Sequence, residues 1–380
     1  MAGGEKGSVA DRPEISSRDP IDIACRLHER ALAVLSAGDP LQARSLCQRS
    51  LQILSRHLGS KHPDVANVTG TLAETFEALG DYKVAEKLCC RAVLIFQAAL
   101  RHTRQKVVRQ MLAHCLMQLG NIYRQLGRYK EAEPRLRRAL ALAEKLYPRN
   151  SLDITSFLNN LAVLYKYTGQ FPEAKRLYRR ALKISERRLG RDSPELATLY
   201  HNLGGLEHAR GRFAQGEPFA RKSVELREKA LGHDHPSVAA DVAALAAILE
   251  GQRKLDEAEQ LYRRALAVFR RVHGAEHYEI AVNLGNLASL NYARGIHAKA
   301  EQLYRKSLAM KTKLLGEHHP DVALTVYNLA VLYQSDHKPK AAAPLYRRAL
   351  ACFERSLGTK HPTTARCRAA YLKLVKQRKE

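Results

Sequence analysis

The 380-residue sequence has no tryptophan, only four methionines, and no unbroken apolar run of membrane-spanning length, although 45% of its residues are hydrophobic. A helix that crosses a bilayer needs about 20 consecutive apolar residues, so membrane insertion is not expected. The first residues, MAGGEKGSVADRPEISSRDP, contain no apolar core of a secretory signal, and position 2 is Ala where myristoylation requires Gly. A cytoplasmic location is the default expectation. Catalytic signatures are missing too: there is no Gly-x-x-x-x-Gly-Lys-Ser/Thr loop, no Gly-x-Ser-x-Gly elbow, no His-Glu-x-x-His and no glycine-rich dinucleotide loop. A non-enzymatic protein with no catalytic residue and no cofactor is expected.

Cysteine is sparse and unpatterned. The seven thiols (Cys25, Cys47, Cys89, Cys90, Cys115, Cys352, Cys367) are odd in number, include no Cys-x-x-Cys pair and fall mostly on apolar helix faces. They read as reduced structural thiols. Acidic residues are in deficit, 38 against 63 Lys and Arg, which leaves a formal charge of +25. Such a field favours acidic peptides, nucleic acid or anionic membrane surfaces, and charge alone does not choose among them.

What the sequence does contain is one pattern many times over. Asn159–Leu182, NNLAVLYKYTGQFPEAKRLYRRAL, reads as two amphipathic helices broken at Gly169. Glycines 190, 232, 274, 316 and 358 keep a period of 42, and a second series, Gly38, Gly80, Gly127, Gly169, Gly211 and Gly295, marks the turn inside each unit. The step from Gly80 to Gly127 is five residues longer, which predicts a stretched helix around Leu94–Val108. Where the series reaches 253 and 337 it finds Arg253 and His337, so a different turn conformation is expected there. One helical hairpin cannot bury its apolar face alone, and a period of this length implies stacked hairpins sharing a continuous core. The expected organisation is a disordered leader over residues 1–19, about eight helical pairs plus a capping helix over 20–376, and a basic tail over 377–380. The first helix should open at Asp19-Pro20, with proline at its first position.

Within the type unit, Phe157, Leu158, Leu161, Ala162 and Tyr165 share one helix face, and Ala174, Leu177, Tyr178, Ala181 and Leu182 share the other. The alanines let the helices approach closely. Tyr178, Tyr262, Tyr304 and Tyr346 recur at one position, where a half-buried ring with its hydroxyl at the rim is expected. His-Pro turns (His62-Pro63, His235-Pro236, His319-Pro320, His361-Pro362) start successive units. One histidine per repeat lacks the clustering a metal needs, so no metal site is expected.

Leu161-Ala162, Tyr165, Gly169, Ala174, Tyr178 and Ala181 resemble the signature of the tetratricopeptide repeat. The 42-residue length and the Leu-Gly-x-x-His-Pro linker are similar to the longer form found in kinesin light chains and nephrocystin-type proteins. The resemblance covers residues 20–376 and implies an all-α, right-handed solenoid that serves as a protein-interaction scaffold or adaptor. Kinesin light chains also carry a heptad coiled coil ahead of their repeats. Residues 1–19 are polar, so motor attachment is not expected.

In such a solenoid the first helices line the concave groove. The residue before each Leu-Ala is then a repeating groove position: Gln118, Asn160, Asn202, Ala244, Asn286 and Asn328. An amide both donates and accepts, so the row could hold an extended peptide backbone, and the resemblance implies that use. The other reading, equally open, is that each amide bonds to the next helix and fixes the register. Asn121 and Asn159 lie beside the row, and Arg124, Lys166 and His201 add positive charge, which suits an acidic peptide. Relatives that clamp a C-terminal carboxylate place Lys or Arg one step before the amide. Met117, Asn159 and His201 stand there, so a chaperone-tail clamp is not expected. The alanines around Ala243, Ala244, Ala246 and Ala247 read as close helix packing, or else as a shallow apolar depression.

Second helices carry paired cations: Arg137-Arg138, Arg179-Arg180, Arg263-Arg264 and Arg347-Arg348, with Arg221-Lys222 and Arg305-Lys306 between them. This ladder reads as a solvated outer face. Its alternative role is polyanion binding, to nucleic acid or an acidic filament. No aromatic residues interleave with it to stack bases.

Overall fold

The computed structural model describes residues 19–377. The expected leader and tail lie outside them, apart from Asp19 and Gln377. Seventeen α-helices and two short 3-10 turns make up the regular structure, and there is no strand among the described residues. The chain divides into two compact units, Met1–Met111 and Leu112–Glu380.

The first unit contains the hairpins α1 (Pro20–Ser36) with α2 (Pro40–Leu58), and α3 (Pro63–Ala78) with α4 (Tyr82–Ala99). Pro20 opens α1 as expected, and the Asp19 carboxylate accepts from the Ile21 N–H at 2.9 Å. Asp39 and Asp81 cap α2 and α4 in the same way. Ala24, Ala31, Cys47, Leu54 and Val65 form the core, and the buried Ser50 hydroxyl donates across it to the Ala24 carbonyl at 2.7 Å. The boundary between the units falls inside α5 (Lys106–Gln125).

The second unit continues with α6 (Tyr129–Leu146), α7 (Thr155–Tyr167), α8 (Phe171–Leu189), α9 (Ala197–Ala209) and α10 (Phe213–Leu231). Next come α11 (Pro236–Gly251), α12 (Leu255–His273), α13 (Tyr278–Ala293) and α14 (His297–Leu315). The chain ends in α15 (Pro320–Ser335), α16 (Pro339–Ser356) and the capping helix α17 (Pro362–Gln377). This is the tandem-hairpin α-solenoid that the period predicts. Ala174 and Ala181 are fully buried, as close helix approach requires.

Three expectations are corrected. The extra residues after Gly80 do not stretch the helix near 94–108. Instead α4 stops at Ala99, and α5 reaches 20 residues where α3 has 16. Arg253 and His337 do not find a new turn but keep the left-handed one, with φ of 66° and 54°. The turn is held by its hydrogen bonds, Lys254 N–H to the Leu249 carbonyl at 3.0 Å and Lys338 N–H to Tyr333 at 2.8 Å, and these offset the strain of a side chain at positive φ. The repeating tyrosines are not half-buried. Tyr178, Tyr262 and Tyr346 have no exposed surface and Tyr304 has 3%. Two of them find partners at the end of the preceding helix: Tyr262 donates to Glu250 at 2.9 Å and Tyr346 to Gln334 at 2.6 Å, whereas the buried Tyr178 hydroxyl has no hydrogen-bond partner.

The second unit also closes on itself. The turn after α5 lies against the linker before α15, where a Cβ added to Gly127 would sit 2.5 Å from Pro320 Cδ. The next turn repeats the contact, with Gly169 against His361 and Pro362. Turns and linkers far apart in sequence therefore shut one side of the groove.

Candidate peptide-binding groove

The helices α3, α11, α13, α15 and α17 begin with a cap that the sequence reading missed. The linker histidines turn Nδ1 back onto the chain and accept from the backbone N–H two residues on, at 3.1 Å for His235, His319 and His361 and 3.2 Å for His62. His277, which no proline follows, adds a further example at 3.3 Å. This fixes the pitch at which the first helices present their inner faces.

The amide row divides into two halves. Asn160 donates to the Ser156 carbonyl at 2.8 Å and to Met117 Sδ at 3.3 Å, and Asn202, only 9% exposed, donates to Asn159 Oδ1 at 2.8 Å. Gln118 is equally buried. His201 is tied at 2.6 Å to Asp241, which also takes Arg227 at 2.6 Å. These side chains stitch neighbouring helices together. Asn286 and Asn328 make no side-chain hydrogen bond to the described residues, and both line a cavity of about 430 Å³.

That cavity spans the inner faces of α9, α11, α13 and α15. His208, Ala247, Glu250, Ser289 and Lys311 share its wall with the two amides. Of the alanine run, Ala247 lines this cavity, Ala239 and Ala246 are core, and Ala240 and Ala243 pack against that core, as close helix packing requires. Glu250 accepts from Ser289 at 2.6 Å and from Tyr262, and burial raises its carboxyl pKa. His208 is accessible to water but walled in by protein. That crowding, with the charge of Lys166, lowers its imidazole to about 4.

Arg124 and Lys166 stand at the closing contact. Their cationic groups lie 5.8 and 4.9 Å from the Tyr167 ring, which stacks on Tyr129 at 5.9 Å. Desolvation, then the charge of Arg124, lowers Lys166 to about 8, and Asp321 opposes the shift. The Tyr278 hydroxyl hydrogen-bonds that same Asp321. Asn121 Oδ1 and Arg124 Nε are buried here without a hydrogen-bond partner.

On the outer face the cation ladder is partly neutralised between repeats. Arg264 pairs in this way with Glu228 at 2.6 Å and Arg180 with Glu144, while Arg263–Glu259 at 2.6 Å and Arg137–Glu133 at 3.7 Å are pairs within one helix. Arg138, Arg179, Arg347 and Arg348 are exposed. Among the described residues no helix is long and apolar enough to cross a membrane.

Five stretches, residues 22–98, 111–187, 150–229, 238–313 and 279–355, match the tetratricopeptide repeat model. No curated protein matches the chain. Among solved structures, a Rap protein complexed with Competence and Sporulation Factor is 12% identical, with 94% of this chain and 98% of that one covered and a TM-score of 0.63. The apo quorum sensor NprR from B. thuringiensis is 14% identical over 89% of each chain, with a TM-score of 0.59. A putative kinesin light chain from Podosopora anserina is 19% identical over 68% of this chain and 100% of that one, with a TM-score of 0.33. Identities this low speak to the fold alone. The family matches extend over well more than half of the sequence and fall on the observed helical hairpins, and the chain belongs to the tetratricopeptide repeat family.

Proposed function

We propose that this protein is a non-enzymatic interaction scaffold of the cytoplasm, which holds an extended, acidic peptide segment of a partner in the inner groove of its second unit. The observation that carries this reading is the pair Asn286 and Asn328, one repeat apart, with no bonds of their own and facing one cavity. An amide pair at that spacing can donate to and accept from a peptide backbone whatever its side chains are. The charge of +25 favours an acidic segment. Asn160, Asn202 and His201 would then support the groove through the stack, with Asn121, Asn159, Arg124 and Lys166 shaping its closed end.

The test is capture of partners by the full chain, compared with the double variant Asn286→Ala/Asn328→Ala. Loss of the captured proteins with an unchanged melting temperature supports the reading. Capture that survives the double change sinks it. The polyanion alternative ranks lower because Glu144, Glu228 and Glu259 already occupy part of the ladder.

A further inference from the structure

The second helices repeat one position near their last turn: Ser185, Arg227, Phe269, Lys311 and Phe353, each 42 residues from the next. Phe269 and Phe353 fill it at 1% exposure, so the position belongs to the core. A cation there needs a counter-charge, since a buried, unpaired ammonium is among the most costly groups a fold can hold. Arg227 has one, because its Nε lies 2.6 Å from Asp241 Oδ2 on the helix that follows. The residues facing the position in later repeats are Asn283, Thr325 and Cys367, none of them acidic.

Lys311 is therefore left in an unusual state. It is 7% exposed, its Nζ reaches only Thr325 Oγ1 at 3.2 Å, and no carboxylate of the described residues lies within ion-pair distance. Burial lowers its pKa, and only the more distant Asp321 works against the shift. Asp321 is itself engaged by Tyr278, and Glu250 across the cavity is occupied by Tyr262 and Ser289. Lys311 and Thr325 line the same cavity as Asn286 and Asn328.

We propose that Lys311 is an anchor for a carboxylate of the bound peptide, supplying to the ligand the contact that Asp241 makes with Arg227 inside the fold. This rests on the peptide-binding reading and adds to it the chemical group recognised. The anchor comes from a second helix, at a position that the repeats on either side give to phenylalanine. At an ammonium as buried as that of Lys311, a charge-assisted hydrogen bond to a carboxylate distinguishes Glu from Gln strongly. The carboxylate can be a side chain or the peptide's C-terminus.

Three acetylated nonapeptide pools with randomised uncharged flanks separate these cases: one with a central Glu and an amidated end, one with a central Gln and an amidated end, and one with a central Gln and a free C-terminal carboxylate. Binding to the full chain is read by fluorescence polarisation for wild type, Lys311→Phe and Lys311→Arg. The expected result is a preference of about tenfold for one carboxylate pool over the amidated Gln pool, abolished in Lys311→Phe and kept in Lys311→Arg. Phenylalanine is the repeat's own residue here, so that variant should fold, with Lys311→Gln as the second neutral variant. Equal binding of all pools, or a preference that persists in the neutral variants, overturns the anchor and leaves the groove. Failure of every pool to bind wild type overturns both.

Discussion

His319 Nε2 lies 2.8 Å from the carbonyl oxygen of Gln125, a residue 194 positions earlier in the chain. The same imidazole caps α15 through Nδ1, so one side chain sets the pitch of a repeat and joins it to a distant turn. Beside it, Gly127 stands against Pro320 with no room for a methyl group. Closure of the groove thus depends on a glycine needed for two reasons, its φ of 70° and the space it leaves.

Gly127→Ala should separate these two reasons when compared with Gly211→Ala. Gly211 has the same conformation, φ 69°, but open space around it. Its substitution should cost only the backbone strain, about 1 kcal/mol. At Gly127 the clash with Pro320 adds about 1–3 kcal/mol, or is relieved by opening the contact. Thermal melts give the first difference, and small-angle scattering tests for an expanded radius in Gly127→Ala alone. Equal effects of the two changes would show that the contact carries no load.

Lys166 makes a prediction with a definite sign in pH. Its folded pKa is about 8 against 10.5 for the free side chain, so between these values the unfolded state binds more protons than the folded one. The penalty of the buried charge is complete below about pH 8 and fades as pH rises towards 10.5. Lys166→Met should therefore stabilise the protein at neutral pH by about 2 kcal/mol, allowing for partial solvent screening. Denaturant titrations at pH 7 and pH 10 should show that gain shrinking at the higher pH. A gain independent of pH would place the effect in packing instead.

His337 occupies a left-handed turn where most repeats have glycine, at φ 54°. His337→Gly relieves about 1–2 kcal/mol of strain and loses part of it to the greater freedom of glycine in the unfolded chain. A net gain of about 0.5–1 kcal/mol in urea unfolding is expected. A loss instead would mean that the imidazole makes a compensating contact.

The repeat itself was plain from particular residues. Gly169 with Leu161-Ala162 and Ala174 predicts a hairpin, and forty-two residues on the same letters predict the next. The closing contact was not legible, because it sums small rotations over several repeats and no single linker records them. The linker histidines were read for their prolines, and their capping role needed the Nδ1 geometry. Fully buried Tyr262 and Tyr346 were misjudged because the hydroxyl's partner lies on another helix. Division of the amide row was also hidden, since Asn160 and Asn286 share a register and differ only in which neighbours can reach them. Lys311 was legible in principle: aligned with Phe269 and Phe353, it is a cation in an aromatic slot.

The residue facing Phe269 gives the last prediction. Asn283 is 1% exposed, and neither its amide nitrogen nor its oxygen has a hydrogen-bond partner. Its counterparts one repeat either way are Asp241, which binds Arg227, and Thr325, which bonds Lys311; Phe269 offers Asn283 nothing comparable. Leaving a buried polar group unsatisfied costs about 1–3 kcal/mol, whereas an apolar group of the same shape makes no such demand. Leucine is close to asparagine in shape, and Leu199 already fills the equivalent position beside Ser185. Asn283→Leu should therefore raise stability by about 1–2 kcal/mol in equilibrium unfolding. Because Asn283 lies next to the cavity-lining Val282, the same variant should be assayed for capture of partners. Gained stability with unchanged capture identifies Asn283 as a dispensable buried polar group. Lost stability would mean that the amide is bonded in solution, and its register would then join the groove's polar wall.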